Sequence, residues 1–247
     1  GLVFCADCGK PMVLHRATVV GVFNPQITIA YAEGDKEKLV DIIKSCNRIL
    51  IFIMSIPIAF LTAYGRDFYA LWQPTKDPDM LQRLSLLAVG VLYVSMSIQV
   101  LYHVFIITKK VKWNSLVVLG SGICSSLLSL LLLSKTDLGV ACFPLSSMLT
   151  GVLRNMIFTP IYAARCLEIR WNRFYSDIFL GFASIGTITV LGLLSRMIVP
   201  IHSWIILLLT GVVMGPLALL VNFFVILRKQ ERNMVIGMVR SRLKGEA

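Results

Sequence analysis

Charge is scarce in this sequence. Of its 247 residues, 15% are Asp, Glu, Lys or Arg, against about 25% in an ordinary soluble chain. Acidic residues are the scarcer kind, 13 against 24 Lys and Arg, which leaves a net charge of +11. There are three histidines, His15, His103 and His202. None has a carboxylate at a useful spacing, which argues against the acid–base pairs a membrane-bound transferase needs. A glycine-rich nucleotide-binding motif is also missing. The six cysteines are Cys5, Cys8, Cys46, Cys124, Cys142 and Cys166. All but the first two stand singly in or beside apolar runs, so they form no disulfide framework and read as small packing residues. The sequence opens at Gly1 with neither an initiator Met nor a signal peptide, which reads as a fragment or a processed product. No enzymatic activity and no cofactor are expected.

What the chain has instead is hydrocarbon. Apolar residues make up 57%, and the mean hydropathy is +0.79. Six long uncharged or nearly uncharged runs stand out: Ile49–Tyr64, Leu84–Thr108, Leu116–Ser134, Leu138–Ala164, Ile178–Val199 and Ile201–Leu227. Each is long enough, or nearly so, to cross a hydrocarbon core of about 30 Å as a helix. The prolines at 57, 144, 160 and 216 do not veto this, because neighbouring helices can satisfy the freed carbonyls. Residues 18–32 are apolar but too short to span alone, and read as the end of a further helix kinked at Asn24-Pro25. Residues 33–48 are polar, with Leu39, Ile42, Ile43 and Cys46 on one face, and predict a short amphipathic helix lying at the membrane interface. Only Pro200 separates the last two runs, which predicts a tight hairpin turning at Pro200–Ser203. The expectation is an all-α polytopic membrane protein with about six complete transmembrane helices and one partial N-terminal helix.

Basic residues crowd one side of this layout. With residues 33–48 in the cytoplasm, that side receives Lys36, Lys38, Lys44 and Arg48, then Lys109, Lys110 and Lys112, then Arg165, Arg170 and Arg173, then the basic C-terminal segment. The opposite loops receive Arg66, Lys76, Arg83 and Lys135. This bias predicts a multi-pass protein of the cytoplasmic membrane with a cytoplasmic C-terminus. It also accounts for the net positive charge without nucleic acid as a partner.

Residues 1–17 do not match the rest. Cys5-Ala-Asp-Cys8 followed by Gly9-Lys10 has the spacing of half a tetrahedral zinc site. His15 could supply a third ligand, but no fourth is evident, so Cys5 and Cys8 remain an incomplete half-site and no metal is expected. The string FCADCGKPMVLHR resembles the zinc-ribbon segment of large serine recombinases, without the second cysteine pair that follows there. The chain therefore reads as a recombinase-like remnant over 1–17 joined to a membrane segment over 18–247. The competing reading is an irregular N-terminus with a chance CxxC.

The membrane part carries an ordered series of phrases: NPQITIAYAEGDKEKL, SIPIAFLTAYGRDFYALW, ITKKVKWNSLVVLGSGICSSLLSLLLL and TDLGVACFPLSSMLTGVLRNMIFTPIYAARCLEI. Their order and spacing resemble the Wzx-type polysaccharide flippases, within the multidrug/oligosaccharidyl-lipid/polysaccharide exporter superfamily. The resemblance implies two lobes of helices around a cavity open to one side at a time. This chain would supply the end of the eighth span and spans nine to fourteen, which make up the C-terminal lobe. It would be inactive without the N-terminal lobe as its partner. The implied substrate is a lipid-linked oligosaccharide diphosphate, met in the membrane lipid.

Such a substrate needs positive charge and hydrogen-bond donors at low dielectric. Charges inside spans are costly, about 2.5–3.5 kcal/mol on insertion scales, and mark functional sites by default. Arg154, with Asn155 beside it, is the leading candidate for the cavity; the alternative is that Arg154 snorkels to the headgroups. Gln99 and His103, four residues apart with Tyr102 adjacent, could line a polar path or simply bond between helices. Arg196 reads as snorkelling to the outer surface. Tyr64, Tyr69, Trp72, Trp113 and Trp171 read as interfacial anchors, and the Gly120–Ser126 cluster as close helix packing. A cation-coupled multidrug antiporter of the same superfamily is the nearest competing function. It needs an intramembrane carboxylate, and Asp177, at the start of a span, comes closest. A peptidoglycan-precursor flippase is a further alternative.

Overall fold

A computed structural model of the chain describes residues 24–229, 231–233 and 236, together with the backbone of residues 3–4 and 11–12. Cys5, Cys8 and His15 lie outside the described residues. Two short strands, β1 (Val3–Phe4) and β2 (Pro11–Met12), pair antiparallel with Val3 opposite Met12 and Phe4 opposite Pro11. From residue 24 onward the described regular structure is helical.

Helix α1 (Asn24–Ala32) carries Pro25 in its first turn. A proline is at home there, since the first N–H groups of a helix have no internal partner. The preceding turn, where a kink would show, lies outside the described residues. Gly34 closes the helix at a φ of +77°, a conformation open to glycine. Asp35 then caps α2 (Lys36–Trp72) by accepting from the Lys38 N–H at 3.0 Å.

Helix α2 is 37 residues long, about 55 Å at 1.5 Å per residue. From Lys36 on it absorbs the expected interfacial helix over 33–48, and it also takes in Arg66, expected in a loop. After the Asp35 cap nothing breaks the helix, and Pro57 alone interrupts its hydrogen bonding. The amphipathic face is present, but Leu39, Ile43 and Cys46 are buried in a cluster that also holds Ile27 of α1, Leu101 and Phe105 of α5, Ala163 of α8 and Ile178 of α9. Pro57 has no N–H to offer the Ile53 carbonyl. At the neighbouring carbonyl, Phe52 O, the Asn222 side chain donates across the gap at 3.1 Å, as expected where a proline sits within a span.

The second apolar run is not one regular helix. It is α3 (Pro78–Val89), α4 (Leu92–Ser95) and α5 (Leu101–Ile107). They are joined by turns that keep right-handed helical dihedrals but bond to the third residue back, as in Gly90 to Leu87, Ser97 to Val94 and Leu101 to Ile98. Next come α6 (Val111–Lys135), a 3₁₀ turn (Gly139–Ala141), α7 (Cys142–Leu153), a π turn (Arg154–Phe158) and α8 (Thr159–Cys166). Helices α9 (Tyr175–Ile198) and α10 (Trp204–Val225) complete the set. Between them the chain turns through Val199–Ser203, as Pro200 predicts, and Ser203 caps α10 by accepting from the Ile206 N–H.

Among the described residues, five helical stretches are long and apolar enough to cross a membrane: α2, α6, Gly139–Cys166, α9 and α10. The expected sixth, the run through α3–α5, is broken into shorter helices and is not among them. Helices α2 and α9 form the central pair. They run parallel and stay in register: Arg48 meets Asp177, Ala63 meets Gly192 and Asp67 meets Arg196, each pair 129 residues apart. Between these levels, Ser55 and Ser184 both bond to Asn222 of α10, at 2.7 Å each. The buried apolar clusters are strung along α2 from Leu39 to Tyr64. Helices α6 and α10 leave most of their apolar side chains exposed.

Candidate functional site

Pro160 sets up the site. It lacks the N–H that would bond to Met156 O, and the Tyr175 hydroxyl of α9 donates to that carbonyl instead, at 2.8 Å. The chain relieves the crowding by inserting a π turn, in which the Thr159 N–H reaches Arg154 O. π turns of this kind inside α-helices recur at functional sites. Here the turn fixes Arg154 and Asn155 in one wall of the helix bundle.

Arg154 lies twelve residues before Cys166, about 18 Å along a helix. It is half-buried. Its Nη1 donates to Ser121 Oγ of α6 at 3.1 Å, and its Nε to Asn155 Oδ1 at 3.3 Å. Asn155 is 1% exposed and also accepts from the Tyr102 hydroxyl of α5 at 3.1 Å. Two of the five N–H donors of the guanidinium are thus engaged. Beside it runs an apolar groove between α6 and α7, bounded by Trp113, Leu116, Gly120, Cys124 and Leu153. The arrangement offers charge-assisted hydrogen bonds to an anion while an apolar chain lies alongside.

The other sequence candidates fall elsewhere. Gln99 is exposed and lines a separate cavity of about 540 Å³ with Met54, Pro57 and Leu92. His103 approaches Thr28 Oγ1 of α1 at 3.3 Å through Nε2. They do not share a face, because the tight turns between α4 and α5 advance about 120° per residue instead of 100°. Asn24 opens α1, with its Oδ1 buried and unpartnered among the described residues, and Pro25 beside it is exposed. The structure therefore joins Arg154 and Asn155 with Tyr102 and Ser121, and leaves Gln99, His103, Asn24 and Pro25 outside.

Several side-chain readings are corrected. Arg196 does not snorkel outward: its Nε and Nη2 hold both carboxylate oxygens of Asp67, at 2.7 and 2.9 Å. Tyr64 is 1% exposed and bonds to Ser195, so it is not an interfacial anchor; Tyr69 is half-buried and bonds to Ser85. Trp72, Trp113 and Trp171 are exposed as anchors would be. Gly120 and Gly122 face open space rather than another helix, while Ser125 and Ser129 do reach Ser147 and Ser146 of α7.

One cluster was not singled out from the sequence. Asp177 is fully buried, with Arg48 Nε at 4.0 Å and Asn47 Nδ2 donating at 3.4 Å. Arg48 is 3.7 Å from Glu231 Oε1, and Glu231 also accepts from the Arg228 N–H at 2.8 Å. Each of these residues sits at the edge of an apolar run, where a loop charge and a buried one look alike. Arg48 and Asp177 lie near one end of the α2–α9 pair, and Asp67 and Arg196 near the other. The levels are nineteen residues apart on both helices, about 28 Å, close to the thickness of the hydrocarbon core. At the start of α2, Lys36 bonds at 2.6 Å to Glu168, in the loop after α8, and holds that carboxyl below its ordinary pKa. Arg66 does the same for Asp79.

No family model and no solved structure matches the chain. It is 26% identical over 232 residues to the uncharacterized membrane protein EpsK of Bacillus subtilis strain 168. The match covers 93% of this chain and 46% of that protein, so the chain spans about half the length of the relative. On this fold and this likeness, the chain is a polytopic helical membrane protein distantly related to EpsK.

Proposed function

We propose that this chain is the C-terminal lobe of a two-lobe flippase that moves lipid-linked oligosaccharide units across the cytoplasmic membrane. The observation that carries the reading is Arg154: a mid-span guanidinium, braced by an amide and a hydroxyl, in the wall of an apolar groove. That combination suits a diphosphate head and a lipid tail, and the ordered sequence phrases support the same reading. So does the match to about half of a longer membrane protein. In this reading residues 33–48 and the C-terminus are cytoplasmic, the first lobe comes from elsewhere in the same transporter, and the chain catalyses no covalent chemistry. The test is vesicle flux of a fluorescent polyprenyl-diphosphate oligosaccharide by the complete transporter. Arg154→Ala should abolish flux and Arg154→Lys should recover part of it; wild-type flux in both removes Arg154 from the mechanism.

Asp177 favours a second reading, a cation-coupled antiporter, because it is a buried carboxylate within a span. Its pairing with Arg48 at 4.0 Å leaves a fixed positive charge where a coupling cation would sit. The two readings part on Asp177→Asn: an antiporter loses its dependence on a proton or sodium gradient, whereas a flippase that does not use Asp177 keeps its flux.

A further inference from the structure

A second cavity, on the other side of α7 from Arg154, has the shape and charge of a lipid site. It is about 540 Å³ and lies between α3–α4, α7 and α9, with Leu87, Val94, Met148 and Phe182 among its walls. At one end stands Arg83. From Arg83 to Val94 the chain advances eleven residues, about 16 Å. That is half of a hydrocarbon core of about 30 Å, the depth of one leaflet and so of one acyl chain. The volume falls in the range of sites that hold a small amphiphile, roughly 300–1,000 Å³.

Arg83 is poised for an anion. Its Nε donates to the Asp79 carbonyl at 3.2 Å. The Asp79 carboxylate is already held by two nitrogens of Arg66, at 2.7 and 3.2 Å. Among the described residues no carboxylate lies within salt-bridge distance of Arg83, and its terminal nitrogens have no hydrogen-bond acceptor. The cavity therefore pairs a one-leaflet apolar slot with an uncommitted guanidinium at its mouth. The walls are fixed by packing: Gly90 lets Met148 of α7 lie directly on α3, where an added side chain would strike its Sδ at 2.3 Å, and the Tyr93 hydroxyl is anchored to Thr62. We propose that this cavity holds an anionic phospholipid, one acyl chain along the wall formed by Leu87, Val94, Met148 and Phe182 and the headgroup phosphate on Arg83. The site is distinct from the Arg154 groove and does not depend on what the protein transports.

The test uses the chain in nanodiscs of phosphatidylglycerol and phosphatidylethanolamine in equal amounts with matched acyl chains, released for native mass spectrometry. The wild type should retain phosphatidylglycerol over phosphatidylethanolamine about fivefold, the discrimination one basic residue gives an anionic lipid. Arg83→Gln, at an exposed position, should retain both lipids in the ratio supplied, and Arg83→Lys should restore the preference. Leu87→Trp, which fills the slot, should lose retained lipid while Arg83 is intact. Wild-type retention in the ratio supplied would overturn the proposal, as would undiminished retention in Leu87→Trp. Displacement by glycerol phosphate alone would reduce the site to a surface anion contact and overturn it too. Displacement by an equal amount of a polyprenyl diphosphate would assign the cavity to a transported lipid and overturn it in that way.

Discussion

A guanidinium at mid-span must find its partners in protein. Arg154 finds Asn155 and Ser121 and keeps donors to spare, which separates it from Arg196, whose two donors grip Asp67. Hydrogen bonds to charged groups contribute about 1.5–3 kcal/mol each, so Arg154→Ala should weaken binding of a polyprenyl diphosphate to the chain in nanodiscs by about 10- to 100-fold. Arg196→Ala should leave that affinity unchanged while lowering thermal stability. Equal affinity of the Arg154→Ala and wild-type chains, measured by microscale titration, would remove the anion-binding role. Arg154 was legible in the sequence because a lone charge inside an apolar run has no bland explanation. Asp177 was legible only as the carboxylate nearest a span, and its pairing with Arg48 was not legible, because each stands at the edge of a run. Only the packing of α9 against α2 and of the Glu231 segment against both buries them. At the surface, Glu168 illustrates the sign of a pH effect. Lys36 lowers its pKa, so its contribution is present above the ordinary glutamate pKa and fades as pH falls through the lowered value. The distance between spin labels placed at 35 and 167 should lengthen as pH falls through that lowered pKa, and Glu168→Gln should show the longer distance at every pH.

At the scale of elements, hydrophobic runs located the helices well but their ends poorly. The sequence suggested an interfacial helix over 33–48 because the polar-to-apolar change at Ile49 looks like a boundary. The backbone has no breaker there, and the apolar face of Leu39, Ile43 and Cys46 is buried in a cluster shared with α1, α5, α8 and α9. The tight turns in α3–α5 carry no sequence mark beyond Gly90, so the separation of Gln99 from His103 was out of reach. Proline was more informative. Pro57 and Pro160 each free a carbonyl, and a polar side chain from a neighbouring helix meets the opened backbone, Asn222 in one case and Tyr175 in the other. Close packing of α2 on α9 rests on Gly192, where an added Cβ would lie 2.7 Å from that of Ala63. Gly192→Ala should therefore cost about 1–3 kcal/mol by overpacking, read as a fall in detergent-resistant melting temperature. Adding Ala63→Gly should recover most of it. Failure of the second change to help would mean that the two helices are not held together at this level.

Over the whole molecule, the α2–α9 pair behaves as a mast with a clasp at each end. Helix α2 supplies Arg48 near one end and Asp67 near the other, and α9 supplies Asp177 and Arg196 in the reverse sense. Ser55, Ser184 and Asn222 tie α10 to the middle. Parallel helices with opposite charges at matching depths can pair in one register alone: a slip of one turn would leave each carboxylate and guanidinium buried without its partner. Breaking a buried pair by removing one member costs about 3–5 kcal/mol, far more than the net contribution of the pair, because the survivor is left uncompensated. Arg196→Asp, which sets two carboxylates side by side, should therefore lose most of the folded chain in a detergent stability assay. Asp67→Arg should do the same. The double exchange restores opposite charges at the same depth and should return stability to within about 1–2 kcal/mol of wild type, a coupling that a double-mutant cycle reads directly. Additive losses in the double variant would show that Asp67 and Arg196 act apart and that the register is set by packing alone. Applying the same exchange to Arg48 and Asp177 should restore less, because Glu231 shares Arg48 and would then face a carboxylate.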